Sequence, residues 1–114
     1  MYIQAFAEPG LGDPQSWLIE NLLSQALEHI NDLIRRQGDG LLEGGAFHFV
    51  RDGVELFSYN GNNHQLTRGV MRSAIKTIID FCKENGGFGY SAFGILDGIN
   101  QVGQGVLRPD PRIA

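Results

Sequence analysis

The sequence predicts one α+β domain, a two-layer sandwich in which two helices cover one face of a mainly antiparallel sheet. Three observations lead to this fold class. Two segments carry apolar residues at intervals of three and four, which is the period of an amphipathic helix. Two pairs of strand-like runs are joined by Asp-Gly, a strong hairpin signal. The 114 residues match the size of one domain and suffice to bury a core.

The predicted elements follow in the order β-α-β-β-α-β-β. They are a strand at 2–7, a helix at 14–37, a hairpin of 46–51 and 54–59, a helix at 64–84, and a hairpin of 90–96 and 99–107. This order is a variant of the ferredoxin-like split βαβ arrangement with one more C-terminal strand, and it equally describes two αββ repeats. The prolines and the lack of periodicity in 108–114 predict a loose C-terminal tail to the single domain.

Capping residues mark the ends of both predicted helices. Asp13 suits the N-cap of the first helix, and Pro14 suits its first helical position. Gly38 suits the left-handed residue that ends it. The Asn-rich stretch 60–63 supplies a cap for the second helix, and the glycines at 86–87 supply its end. Because each helix has a single apolar stripe, each is expected to pack against a sheet on one side only.

The Asp-Gly turns predict the register of both hairpins. A two-residue loop at Asp52-Gly53 pairs the flanking residues and directs alternate side chains to opposite faces. In the first hairpin, the helix side is expected to hold Phe47, Phe49, Val54 and Leu56, and the other side Ala46, His48, Val50, Glu55, Phe57 and Tyr59. In the second hairpin, a loop at Asp97-Gly98 is expected to place Phe93, Ile95, Val102 and Val106 on one face, and Ala92, Gly94, Gly103 and Gly105 on the other.

The sheet face away from the helices is predicted to be a binding surface. A solvated sheet face is normally polar, whereas this one combines apolar residues from one hairpin with glycines from the other. Glycine inside a strand costs about 0.5–1 kcal/mol relative to alanine, so it indicates close approach of a ligand or another backbone, or relief of crowding at a bend. The predicted ligand-binding residues are Val50, Phe57, Gly94, Gln101, Gly103 and Gly105.

Two smaller sites with polar chemistry are also predicted. His48 lies in mid-strand opposite Phe57, where a partly apolar setting favours a neutral imidazole able to act as a general base, with Tyr59 or Tyr90 as its proton partner. His64 and Arg68 lie at the start of the second helix, where free N–H groups favour an anion. Capping and ordinary packing explain the same residues without any site.

Several classes of protein are disfavoured by composition and by missing motifs. Nine basic against thirteen acidic residues give a net charge of −4, which argues against a nucleic-acid partner. No apolar run approaches the roughly 20 residues of a membrane span. The sequence has no phosphate-binding loop, zinc motif or nucleophile elbow, so we expect no metal and no cofactor. A single cysteine and no signal-like start favour the cytoplasm as an expectation.

Three functional hypotheses remain from the sequence. The first is a small binding module that uses the helix-free sheet face for an apolar small ligand or for self-association, with a homodimer as the expected partner state. The second is a cofactor-free isomerase, cyclase or lyase with His48 as its base. The third is a small secreted toxin or interaction protein, which the lack of a visible signal and of disulfides makes less favoured.

Overall fold

Two helices and a five-stranded antiparallel sheet form the structure, which confirms the predicted α+β class. The structure is a computed structural model and describes residues 2–5, 16–60, 66–84, 87, 89–97 and 100–110. Its elements are β1 (Tyr2–Ala5), α1 (Ser16–Gln37), β2 (Ala46–Arg51), β3 (Val54–Asn60), α2 (Arg68–Glu84), β4 (Ser91–Asp97) and β5 (Asn100–Pro109). The expected caps at Asp13-Pro14 and at 61–63, and the helix stop at Gly86, lie outside the described residues.

The strands lie side by side in the order β1-β4-β5-β3-β2, and every neighbouring pair is antiparallel. The register of the first hairpin is as predicted, with Arg51 opposite Val54 and His48 opposite Phe57. Asp52 and Gly53 both have positive φ angles, 53° and 81°. This is the backbone of a type I′ turn, and it explains why the Asp-Gly pair sets the register here.

Both helices bury their apolar stripes against the same face of the sheet. α1 packs on α2, on β2 and on β3, while α2 packs on β1. The buried residues form one cluster. From the helices it contains Ile19, Leu22, Leu23, Ala26, Ile30, Met71, Ala74, Ile75, Ile78 and Cys82, and from the strands Phe47, Phe49, Val54, Leu56, Phe93, Ile95 and Leu107. Within the part of the chain that the structure describes, the opposite face of the sheet therefore has no helix over it.

The predicted register of the second hairpin is wrong. Asp97 pairs with Asn100, so Asp97 belongs to β4 rather than to the turn, and an irregularity at Ile95/Leu96 shifts the pairing further. Gly103 therefore lies opposite Ile95, and Gly105 lies opposite Phe93. Both glycines consequently face the helices, contrary to the prediction that they line the other side.

The expected loose tail also begins later than predicted. β5 continues through Arg108 and Pro109, pairing with Glu55 and Val54 of β3. Asp110 is buried, and its backbone N–H donates to the carbonyl of Gly53 at 2.9 Å. Proline is tolerated at 109 because it is the last residue of the strand. Residues 111–114 of the predicted tail lie outside the described residues.

Candidate functional site

Three cross-strand rows of side chains form the centre of the helix-free face of β2, β3, β5 and β4, and the Leu96–Gln101 pair continues it along β4 and β5. The middle row is the most apolar and runs across all four strands as His48, Phe57, Val106 and Ala92. One flanking row holds Val50, Glu55 and Arg108. The other flanking row holds Ala46, Tyr59, Gln104 and Gly94. The face thus has an apolar centre with polar groups on both sides, which is the usual layout of a protein interface.

An ionic cluster occupies one side of this face. The Glu55 side chain is only 6% exposed, although it points away from the helices. Arg108 donates from Nε to its Oε1 at 2.5 Å, and His48 Nε2 lies 2.6 Å from its Oε2. His48 and Arg108 remain 43% and 47% exposed. The two half-exposed side chains flank the carboxylate and shield it from solvent.

The cluster holds Glu55 in its ionised form. Burial acts to raise the pKa of the carboxyl, but the hydrogen bonds and charges of Arg108 and His48 outweigh burial, so the pKa lies below its ordinary value. A carboxylate only accepts hydrogen bonds, so His48 must donate through Nε2–H. When the imidazole is neutral, its Nδ1 therefore carries the lone pair.

The other polar row is held by hydrogen bonds between side chains. Gln104 donates from Nε2 to the Tyr59 hydroxyl at 2.7 Å. The Phe57 ring lies between the two polar rows, with ring centroids 5.5 Å from His48 and 5.7 Å from Tyr59. Phe57 is therefore the aromatic centre of the face. The prediction that Val50 and Phe57 lie on this side of the sheet is confirmed.

The predicted glycine floor is only partly present on this face. Gly94 belongs to it, since it pairs with Gln104, whereas Gly103 and Gly105 face the helices. Gln101 is partly buried beside the irregular end of the hairpin and makes long contacts to the Gly103 carbonyl and to Gln104. The smooth surface expected from three glycines is thus replaced by the side chains of Gln104 and Val106.

The predicted acid–base pair keeps only one of its two tyrosines. Tyr59 lies on the same face as His48, and both rings contact Phe57. Tyr90 precedes β4, which two strands separate from β2, and it packs against the helix-side core. Tyr90 is therefore not a proton partner for His48. A base with a fixed tautomer and a neighbouring phenol remain as possible reactive groups.

The start of α2 is already occupied by groups of the chain itself. The Gly69 N–H donates to Asp39 Oδ1 at 2.9 Å, so a carboxylate caps the positive end of the helix. Arg68 donates to the Gln37 side chain and to the Gly38 carbonyl. An external anion at the predicted site at Arg68 would have to displace these contacts. His64 lies outside the described residues.

Three concave regions lie at the boundary between the helices and the sheet. The largest, about 950 Å³, is lined by α1 together with Phe49 and Arg51. A second, about 330 Å³, lies where α1 meets the start of β2, and a third, about 260 Å³, lies between α2 and β4. Each is lined partly by a helix, and the one of about 330 Å³ also includes Ala46 and His48, which belong to the edge of the helix-free face.

The sequence analysis places Glu55 on this face but singles out neither Glu55 nor Arg108 as a site residue, although the two form an ion pair in the ionic cluster. The predicted end of the last strand at Leu107 leaves Arg108 in the loose tail, whereas the structure pairs Arg108 with Glu55. A glutamate in the apolar run Val54–Phe57 was a usable signal, since a carboxylate expected on a partly apolar face needs a cationic partner.

The described ranges contain neither a membrane-spanning helix nor a cluster of metal ligands. No helix among them is long and apolar enough to cross a membrane. The same residues contain no group of three or more His, Cys, Asp or Glu side chains that could hold a metal ion. Comparison with protein-family models, with curated proteins and with solved structures found no match to the chain. The function must therefore be argued from the geometry of the site.

Proposed function

We propose that this chain is a non-enzymatic binding module that uses its helix-free sheet face to associate with a second copy of itself. The observation that supports this is the apolar row of Phe57, Val106 and Ala92, which lies between two polar rows whose groups are hydrogen-bonded to each other. Polar groups that are already paired within the chain lose little when a partner excludes water from them. The apolar row gains by the same exclusion.

Charge favours a second copy over other occupants of the face. Glu55 lies between Arg108 and His48, so the cluster contains both signs and compensates itself. Two copies of this face can therefore meet without bringing large charges of the same sign together. Such a contact between like charges would weaken binding. An apolar small ligand is the other occupant, but ligands of that kind prefer a concave pocket to a row across strands.

The size of the face predicts a weak association. Four strands spaced about 4.8 Å apart and three rows of residues cover roughly 400 Å². Two copies then bury roughly 800 Å², below the range of about 1,200–2,000 Å² for stable complexes. We therefore expect a dissociation constant in the micromolar range or weaker, so the protein must be studied at high concentration.

The test is a charged substitution in the centre of the face. Phe57→Asp places a carboxylate in the apolar row and is expected to weaken concentration-dependent association in sedimentation equilibrium, because it removes the contact made through this face. Phe81→Asp is the matched control, because Phe81 is an exposed aromatic residue of α2, away from this face. The control is expected to dimerise like the unmodified protein.

The results separate the possible occupants. Equal dimerisation of both variants, or a strictly monomeric unmodified protein, contradicts self-association through this face. If the monomer is instead stabilised against heat by apolar compounds and Phe57→Asp removes that effect, the face is a ligand site.

The enzymatic alternative is supported by one observation and weakened by another. The hydrogen bond to Glu55 sets the tautomer of His48 and leaves Nδ1 as an acceptor. Of its two predicted proton partners, however, only Tyr59 lies on the same face. The binding module is therefore the better supported function.

The strand order also favours one description of the fold. We propose two αββ repeats, α1-β2-β3 and α2-β4-β5, with β1 added at one edge. The two hairpins lie side by side with β3 and β5 antiparallel at the centre, which is the arrangement of a pseudo-twofold. In a split βαβ unit, one strand separates the two parallel strands. The unit β3-α2-β4 has that form. The unit β1-α1-β2 does not, because three strands separate β1 from β2.

A further inference from the structure

The outer edge of β2 has its own pattern of unpaired backbone groups. No described strand pairs with this edge. Arg51 and Val54 flank the two-residue turn, so they form a hydrogen-bonded pair, and the pattern then alternates along the strand. Residues 47, 49 and 51 therefore direct their backbone groups to β3. Residues 46, 48 and 50 direct theirs to the open edge.

Two of the six groups on this edge are already bonded within the chain. The Ala46 N–H donates to the carbonyl of Glu43. The Val50 carbonyl accepts a hydrogen bond from Nη1 of Arg51 at 2.8 Å. The groups left without a partner among the described residues are the Ala46 carbonyl, the His48 N–H and carbonyl, and the Val50 N–H. They are two donors and two acceptors.

We infer that β2 pairs with β2 of a second copy, in antiparallel register about a twofold axis at His48. In this register His48 lies opposite the partner's His48, and each residue donates to the carbonyl of the other. Val50 lies opposite the partner's Ala46 and donates to its carbonyl. Together with the symmetry-related bond, four hydrogen bonds form, and they use every open group on both edges.

The neighbouring registers satisfy fewer of these groups. With the axis at Phe47, Ala46 faces the partner's His48, and the closed Ala46 N–H removes half of the possible bonds. With the axis at Phe49, His48 faces the partner's Val50, whose carbonyl is already bonded to Arg51. Each of these registers leaves two interchain hydrogen bonds instead of four. The open groups are thus self-complementary about His48, which is the property of an isologous interface.

Side chains next to the edge are compatible with this pairing. Phe47 lies opposite the partner's Phe49, an aromatic cross-strand pair on the helix side. Open grooves lie between α1 and both halves of β2, about 950 Å³ beside Phe49 and Arg51 and about 330 Å³ beside Ala46 and His48. The resulting assembly is a continuous ten-stranded sheet. This contact uses the strand edge and does not depend on association through the helix-free face.

Disulfide trapping tests the register directly. In the proposed pair the two residues at position 48 have Cα atoms about 5.5 Å apart, within the range that a disulfide bridges. His48→Cys is expected to form a covalent dimer under mild oxidation. The native Cys82 is buried and gives little background. Val50→Cys alone is expected to react about tenfold or more slowly, because the twofold raises the effective concentration of thiols only at position 48.

A mixture of two single variants provides the second measurement. Ala46→Cys and Val50→Cys each remain largely monomeric alone, but their mixture is expected to form a covalent heterodimer. Both variants retain His48, so this arm does not depend on the stability of His48→Cys. Absence of the heterodimer, or cross-linking of Val50→Cys alone at the rate of His48→Cys, overturns the proposal. Introducing Phe57→Asp into both cysteine variants is expected to leave the rate of cross-linking unchanged. This result would separate pairing at the strand edge from association through the helix-free face.

Discussion

The carboxylate of Glu55 shows how a single residue can be buried on a sheet face over which no described helix lies. Its cover comes from the side chains of Arg108 and His48 on the two neighbouring strands. Because both cover residues are half exposed, solvent screens part of their attraction, so the cluster stabilises the fold by less than a fully buried pair would.

Replacing Glu55 by glutamine tests this contribution through its pH dependence. The folded-state pKa of Glu55 lies below its unfolded value, so its stabilisation is fully present above the unfolded pKa and is lost as the pH falls through the folded-state pKa. At pH 7, Glu55→Gln is expected to cost about 1–2 kcal/mol, less than the 3–5 kcal/mol of a fully buried pair. Urea unfolding at pH 7 and below pH 4 measures this cost.

The difference between Glu55→Gln and the unmodified protein is expected to shrink at the lower pH. Asp32→Asn is the matched control, because Asp32 pairs with Arg35 and Arg36 on the exposed side of α1. It is expected to cost about 0.5 kcal/mol. A cost for Glu55→Gln that does not change with pH would show that the residue contributes by packing rather than by charge.

At the scale of elements, the β4–β5 hairpin explains why two glycines lie in the interior of a strand. A Cβ at Gly105 would lie 2.5 Å from Ser58 Oγ, 2.6 Å from Phe93 Cζ and 2.8 Å from the Phe57 carbonyl oxygen. The glycine therefore makes room for Phe93 on the helix side of the sheet. The choice of glycine reflects core packing and does not mark a ligand.

Gly105→Ala is accordingly expected to destabilise the protein by about 1–3 kcal/mol, since the β3 backbone cannot move away without breaking the ladder. Ser58→Ala is the partner variant: Ser58 Oγ is buried with no hydrogen-bond partner among the described residues, so its removal is expected to be neutral or to stabilise by about 1 kcal/mol.

Chemical denaturation of the single and double variants gives the coupling between these positions. The double variant is expected to recover part of the cost of Gly105→Ala, because one of the three close contacts is gone. Additive effects would indicate that the contact with the Phe57 carbonyl dominates.

For the whole molecule, local patterns predicted the elements better than the pairing between them. The Asp-Gly turn at Asp52 set the first hairpin because both residues adopt positive φ. The same dipeptide at Asp97 was misleading: Phe93 lies opposite Gly105 instead, and its packing there requires a residue without a Cβ. That requirement depends on contacts between distant residues, which turn chemistry does not encode.

The same limit applies to the candidate site. Alternation within one hairpin correctly placed His48, Phe57 and Val50 on the helix-free face. The partner of Glu55 could not be found in this way, because Arg108 reaches it only through the pairing of β3 with β5. Sequence periodicity identifies which side of a strand a residue occupies, while the contacts across a sheet depend on strand order.

The single cysteine provides a measure of the stability of the whole fold. Cys82 lies in the core on α2, 2% exposed, and burial raises the pKa of its thiol. Labelling requires the thiolate and access to it, so Cys82 is expected to react only when the protein unfolds globally. For a stability of about 5–10 kcal/mol, labelling is slowed by a factor of about 10⁴–10⁷ relative to the unfolded chain.

Ser24→Cys is the control variant, because it adds a thiol at an exposed position of α1 and is expected to react at the rate of a free thiol. Thiol labelling across a urea series checks this, because the rate for Cys82 should follow the global unfolding curve. A rate independent of urea would instead show that the cavity of about 260 Å³ beside Cys82 opens locally.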